Sequence, residues 1–139
     1  MAHGRRYPLA PNTTGGPTVS DVLAALEATL EARKTASADS SYVASLYAKG
    51  LNKILEKIGE EATEVILAAK DCNDDDRHRD AVIGEVADLW FHTMVMLSHL
   101  NLSHQDVLDK LGERFNISGL EEKARRTGHN ASPSSTSNQ

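Results

Sequence analysis

The chain has 139 residues with 20 acidic and 15 basic side chains, a net charge of −5. That length fits one domain, and the acidic balance excludes a general nucleic-acid binder, which would carry a basic excess. A single cysteine, Cys72, excludes an intramolecular disulfide and fits a reducing compartment.

Cys72 lies among acidic neighbours (KDCNDDDR) that do not activate a thiol, and it reads as an incidental surface residue. No apolar run approaches the ~20 residues that span a bilayer. The N-terminal MAHGRRYPLAPNTTGG lacks the apolar stretch of a secretory signal. The expectation is a cytoplasmic protein with neither membrane nor nucleic acid as a partner. One Trp, two Phe and three Tyr make a thin core. Such a core is completed by burying a face against a second copy, so a homodimer or higher homo-oligomer is expected.

Residues 1–17 and 127–139 are rich in Pro, Gly, Ser, Asn and Thr and read as disordered segments flanking an ordered domain at 18–126. Inside that domain the periodicity is helical throughout, with no internal repeat. The first helix is expected from about Thr18–Ser20 to Lys34, with Val19, Leu23, Leu26 and Leu30 along one face. TASADSS reads as a loop. A second helical pattern runs from about Ser41 to Lys70, with Gly50 as a possible break, and DCNDDDRHR reads as another loop. A third long helix spans about Asp80 to Leu100, with Val82, Val86, Leu89, Trp90, Met96 and Leu97 as its apolar residues and Trp90 in the core. Ser103 and Asp106 form a capping-box start for a fourth helix bearing Val107, Leu108, Leu111 and Phe115. GLEEKARR reads as a further short turn or helix. Four helices joined by short loops give an all-α fold of the four-helix-bundle type.

Within the second pattern, IGEEATEVILAAK carries three carboxylates off the expected solvent side. With Ile54 at zero on a helical wheel, Glu60, Glu64 and Glu61 fall at roughly 240°, 280° and 340°, which puts Glu61 beside the apolar stripe. On the third helix, with Val82 at zero, Glu85 and Asp88 fall at about 300° and 240°, with His92 and His99 between them. If the two helices are neighbours, five carboxylates enter one cleft. At ~4 Å and an effective dielectric near 20, each pair of charges repels by about 4 kcal/mol before screening. Protonation of some carboxylates or a bound cation relieves this. All-oxygen ligation favours Mg²⁺, Mn²⁺ or Ca²⁺. A purely solvated acidic face is the other reading of the same spacing.

EExxE (Glu60, Glu61, Glu64) followed by ExxD (Glu85, Asp88) resembles the metal-binding signature of the all-α, MazG-like NTP pyrophosphohydrolases. SSYVASLYAKGLNKILEKIGEEATEVILAAK and EVADLWFHTMVML are similar to segments of one branch, the phosphoribosyl-ATP pyrophosphohydrolases of histidine biosynthesis. The likeness runs from about Val19 to Arg126. It implies Mg²⁺-dependent (Mn²⁺ as substitute) hydrolysis of 1-(5-phosphoribosyl)-ATP to 1-(5-phosphoribosyl)-AMP and pyrophosphate, the second step of that pathway. It also implies that Glu60, Glu61, Glu64, Glu85 and Asp88 bind metal, that Glu61 or Glu64 orients or deprotonates the attacking water, and that subunits pair as dimers. The sequence carries no phosphoribosyl-AMP cyclohydrolase region, so that activity is expected from elsewhere.

Lys49, Lys53 and Lys57 recur every four residues and fit either phosphate contacts or i,i+4 ion pairs such as Lys57 with Glu61. Ser41 and Tyr42 read as an N-cap and a core aromatic; the resemblance places both against the ribose-phosphate end of the substrate. His92 reads as a hydrogen-bonded core histidine, and the resemblance makes it a substrate or supporting contact. Lys123, Arg125 and Arg126 fit a solvated helix end or a reach across a dimer to phosphate. Two rival functions stand beside this one: a house-cleaning pyrophosphohydrolase acting on dUTP, dCTP or other NTPs, and a non-catalytic acidic bundle. A di-iron bundle needs Glu-x-x-His, whereas Glu85 is followed by Asp88. Gly50 and Glu56 imitate only the start of a Nudix motif, and no GxxxxGK[ST] loop occurs.

Overall fold

The computed structural model describes residues 15–115, all helix and connection. The expected tail, the GLEEKARR element, Lys123, Arg125, Arg126 and nearly all of the N-terminal segment lie outside the described residues. Five α-helices follow in order: α1 (Val19–Arg33), α2 (Tyr42–Lys49), α3 (Leu51–Lys70), α4 (Asp76–His99) and α5 (His104–Arg114), with a 3₁₀ turn at Ala38–Ser40. The all-α fold is as expected, with one more helix because the second pattern divides at Gly50.

The helix boundaries follow from capping chemistry. Thr18 and Asp21 form a reciprocal box at the start of α1: the Asp21 amide donates to Thr18 Oγ1 at 3.2 Å and the Thr18 amide to Asp21 Oδ2 at 2.9 Å. Ser103 and Asp106 repeat the device at α5. Gly50 ends α2 and opens α3 at φ 90°, ψ 179°, a backbone region essentially confined to glycine. Lys49 therefore sits on a different helix from Lys53 and Lys57, and the i, i+4, i+8 row does not form one continuous face. The acidic loop is shorter than its composition suggested. Asp75 caps α4 by accepting from the Arg77 amide at 2.9 Å, and Asp76 sits in the first turn, where the helix dipole favours negative charge.

α3 and α4 pack along their length as an antiparallel hairpin, with Glu61 near Asp88 and Glu64 near Glu85. The core fills one end of it: Leu30, Leu46, Ile54, Met94 and Val95 are buried, edged by Leu23, Leu26, Ile58 and Phe91. α4 turns Phe91, Met94, Val95 and Ser98 inward, an i, i+3, i+4, i+7 stripe. Trp90 lies off that stripe and is 57% exposed, so it is not the core residue expected. Val19 likewise stands outside the α1 face that packs. On the half of the hairpin away from the core, Ile66, Leu67 and Ile83 are exposed.

Two polar latches tie α1 to the far end of α4 and to α5. Glu31 accepts from Ser98 Oγ at 2.7 Å and pairs with Lys34, whose ammonium also donates to Asn101 at 3.1 Å. Glu27 accepts from the His104 amide, from His104 Nδ1 at 2.8 Å and from Ser103 Oγ. α4 is also the one helix among the described residues long and apolar enough, by length and composition, to cross a membrane.

Candidate active site

Glu61 and Glu64 stand one turn apart on α3; Glu85 and Asp88 stand one turn apart on α4. Glu61, Glu85 and Asp88 each present an oxygen within 4.8 Å of the others. The Glu61 side chain is only 17% exposed, in keeping with its place beside the apolar stripe. The Glu85 carboxyl is held above its usual range, first by burial and then by the negative charges of Glu64, Glu61 and Asp88. Glu64 therefore borders the trio without completing it.

Glu60 is engaged elsewhere. It accepts from Lys57 Nζ at 2.7 Å, which lowers the Glu60 carboxyl and raises the Lys57 ammonium relative to their ordinary values. The expected Lys57–Glu61 pairing is replaced by this i,i+3 pair. Lys53 pairs with Glu56 at 2.9 Å. Lys49 is exposed in the last turn of α2. The two lysines of α3 nonetheless lie within electrostatic reach of the Tyr42 phenol, as do Glu60 and Glu61. Tyr42 thus marks where the basic strip meets the acidic one.

Tyr42 is the first residue of α2, and its neighbour Ser41 caps that helix by accepting from the Ala44 amide at 3.1 Å. The Ser41 O–H is left to donate. The Tyr42 ring is half exposed, but its hydroxyl is turned in to His92 Nε2 at 2.8 Å, and burial of that end raises the phenol above its ordinary value. His92 is buried, with Nδ1 2.8 Å from the Asp88 carbonyl oxygen. Glu27 and His104 also meet, a contact no motif announces, since the two are far apart along the chain.

The donor set suits a hard divalent cation. Carboxylate oxygens bonded at ~2.1 Å on opposite sides of an octahedral Mg²⁺ lie ~4.2 Å apart, so oxygens within 4.8 Å of one another are one small side-chain adjustment from that arrangement. A helical hairpin that crowds carboxylates beside Lys53 and Lys57 has oxygen donors that could hold a divalent cation and ammonium groups that could meet phosphate, the side chains a nucleotide-handling enzyme needs. Comparison with known sequences narrows that class. The profile of the phosphoribosyl-ATP pyrophosphohydrolases matches residues 23–115. A protein of Hydrogenovibrio crunogenus called phosphoribosyl-ATP pyrophosphatase is 54% identical over 112 residues, covering 81% of this chain and 98% of that protein. The chain belongs to the phosphoribosyl-ATP pyrophosphohydrolase family.

Proposed function

We infer that this chain hydrolyses 1-(5-phosphoribosyl)-ATP between its α- and β-phosphates, releasing 1-(5-phosphoribosyl)-AMP and pyrophosphate in histidine biosynthesis. The observation that carries the reading is the carboxylate trio Glu61, Glu85 and Asp88, held at cation spacing in a chain with this family membership. Those three residues would hold Mg²⁺, or Mn²⁺ in its place, with Glu60 and Glu64 as the outer members of the set. Bound Mg²⁺ supplies charge neutralisation on the phosphate chain and a more acidic water.

The protein residues then divide the work. Glu64 stands at the edge of the trio with its carboxylate exposed, free to orient the attacking water and receive its proton, while Glu61 is engaged in the trio. Hydroxide adds to the α-phosphorus as the bond to the bridging oxygen breaks, and pyrophosphate leaves with that oxygen. Lys53 and Lys57 exchange their glutamate partners for phosphate oxygens, which places them as charge clamps on the leaving group. Lys49 and Ser41 complete the expected substrate side, with Tyr42 and His92 standing behind it in contact with each other.

The open half of the α3–α4 hairpin supports association with a second copy, because Ile66, Leu67 and Ile83 gather there. A cytoplasmic location fits a nucleotide substrate, and Glu85 and Asp88 in the middle of α4 would be costly in a bilayer. The test is pyrophosphate release from phosphoribosyl-ATP, dUTP, dCTP and ATP, with and without Mg²⁺. Phosphoribosyl-ATP turns over fastest, and only with the metal. Faster turnover of dUTP or dCTP would replace the assignment with a house-cleaning activity.

A further inference from the structure

His92 joins three helices at the carboxylate cluster. It is 6% exposed, and both ring nitrogens are occupied. A carbonyl oxygen can only accept, so Nδ1 carries a proton and donates it to the Asp88 carbonyl. In the neutral ring Nε2 then accepts from the Tyr42 hydroxyl. The Nδ1 edge also faces Glu61 Oε1 at 3.8 Å. Tyr42 and Phe91 pack edge-on against the imidazole, at 5.8 Å and 85° and at 5.3 Å and 89°, which fixes the plane of the ring. The ring thus has one orientation, which bonds Asp88 through its backbone carbonyl and sets the imidazole edge 3.8 Å from the Glu61 carboxylate.

We propose that Tyr42 and His92 are positioning residues: the Tyr42 hydroxyl holds the imidazole, and the imidazole sets the Asp88 turn and the Glu61 carboxylate at the spacing a divalent cation takes. This rests on the reading of Glu61, Glu85 and Asp88 as the metal-holding trio. Ser41 serves the same end by capping α2, so that the helix begins at Tyr42 with its hydroxyl directed at His92. Outer partners of this kind hold metal ligands in geometry, and their loss weakens metal binding although they never touch the ion. A Tyr42 that instead contacted substrate would act on KM.

Tyr42→Phe removes the hydroxyl and keeps the ring. Mn²⁺ binding to the free protein, read by electron paramagnetic resonance, needs no substrate and reports on the trio alone. The dissociation constant rises roughly five- to tenfold in Tyr42→Phe. At saturating Mg²⁺, kcat for phosphoribosyl-ATP falls while KM stays within about twofold of wild type. In a His92→Asn background the same change adds nothing, because its partner is gone. Tyr47→Phe, a phenol deletion on the same helix outside the cluster, leaves Mn²⁺ binding at the wild-type value. Unchanged Mn²⁺ affinity in Tyr42→Phe, with binding lost in Glu61→Gln, overturns the proposal and spares the metal reading. Unchanged affinity in Glu61→Gln as well overturns both. A rise in KM alone assigns Tyr42 to the substrate.

Discussion

Replacing Glu27 with Ala removes the acceptor that docks α5 on α1. Glu27 Oε1 accepts from the His104 amide at 3.2 Å; Oε2 accepts from His104 Nδ1 at 2.8 Å and from Ser103 Oγ at 3.2 Å. His104 is 7% exposed, so its amide and ring N–H lose their protein partner where little water reaches. A hydrogen bond to a charged group contributes about 1.5–3 kcal/mol, and a stranded buried donor costs about 1–3 kcal/mol. Glu27 itself is about a quarter exposed, and water can follow it in, which favours the lower part of the range. The expected loss is about 2–4 kcal/mol, measured by urea denaturation followed by circular dichroism at pH 7. Glu27→Gln keeps one acceptor oxygen and falls between. Glu27 lies away from the carboxylate trio, so kcat at low denaturant stays at the wild-type value. A loss below about 1 kcal/mol for Glu27→Ala would refute the view that this carboxylate anchors α5.

Gly50→Ala forces a side chain into a backbone region that only glycine occupies comfortably, and destabilises the fold by about 1–3 kcal/mol in the same urea assay. Glu85→Gln raises the melting temperature of the protein in EDTA and forfeits that gain in saturating Mg²⁺, as scanning fluorimetry will show. The sign follows from the raised carboxyl: the folded state binds the proton more readily, so stability is retained below the ordinary value of 4.5 and is lost as pH rises through the higher folded value. The glutamine variant removes that pH dependence. Lys57→Ala frees Glu60 from its ion pair and removes a phosphate clamp, so steady-state kinetics show KM for phosphoribosyl-ATP rising more than kcat falls.

The parts of the fold legible in the sequence were those written in local chemistry. Ser103 with Asp106 announced the start of α5, the apolar spacing of Val19, Leu23, Leu26 and Leu30 announced α1, and Gly50 announced a break; the Thr18–Asp21 box that caps α1 emerged only in the structure. Residues 75–79 did not announce a helix, because a polar run reads as loop until Asp75 is seen to cap a helix that begins on Asp76. Trp90 was misplaced because size and hydrophobicity suggested core, whereas the face that packs is set by the neighbours of α4. At the site, the angular position of Glu61 foretold its meeting with Glu85 and Asp88. Helical angle alone could not foretell that Glu60 turns to Lys57 or that Lys49 departs onto another helix. The His104–Glu27 and Tyr42–His92 contacts join residues distant in sequence, and only the packing of α1, α2 and α4 brings them together.

The most direct test is pyrophosphate release from phosphoribosyl-ATP at saturating Mg²⁺, comparing wild type with Glu61→Gln. Loss of an outer partner of a metal ligand costs 10–100-fold, so loss of a ligand itself should lower kcat/KM by at least about 100-fold with the helical fold intact. A Glu61→Gln protein that turns over at the wild-type rate would contradict the assignment of this carboxylate cluster as the catalytic metal site.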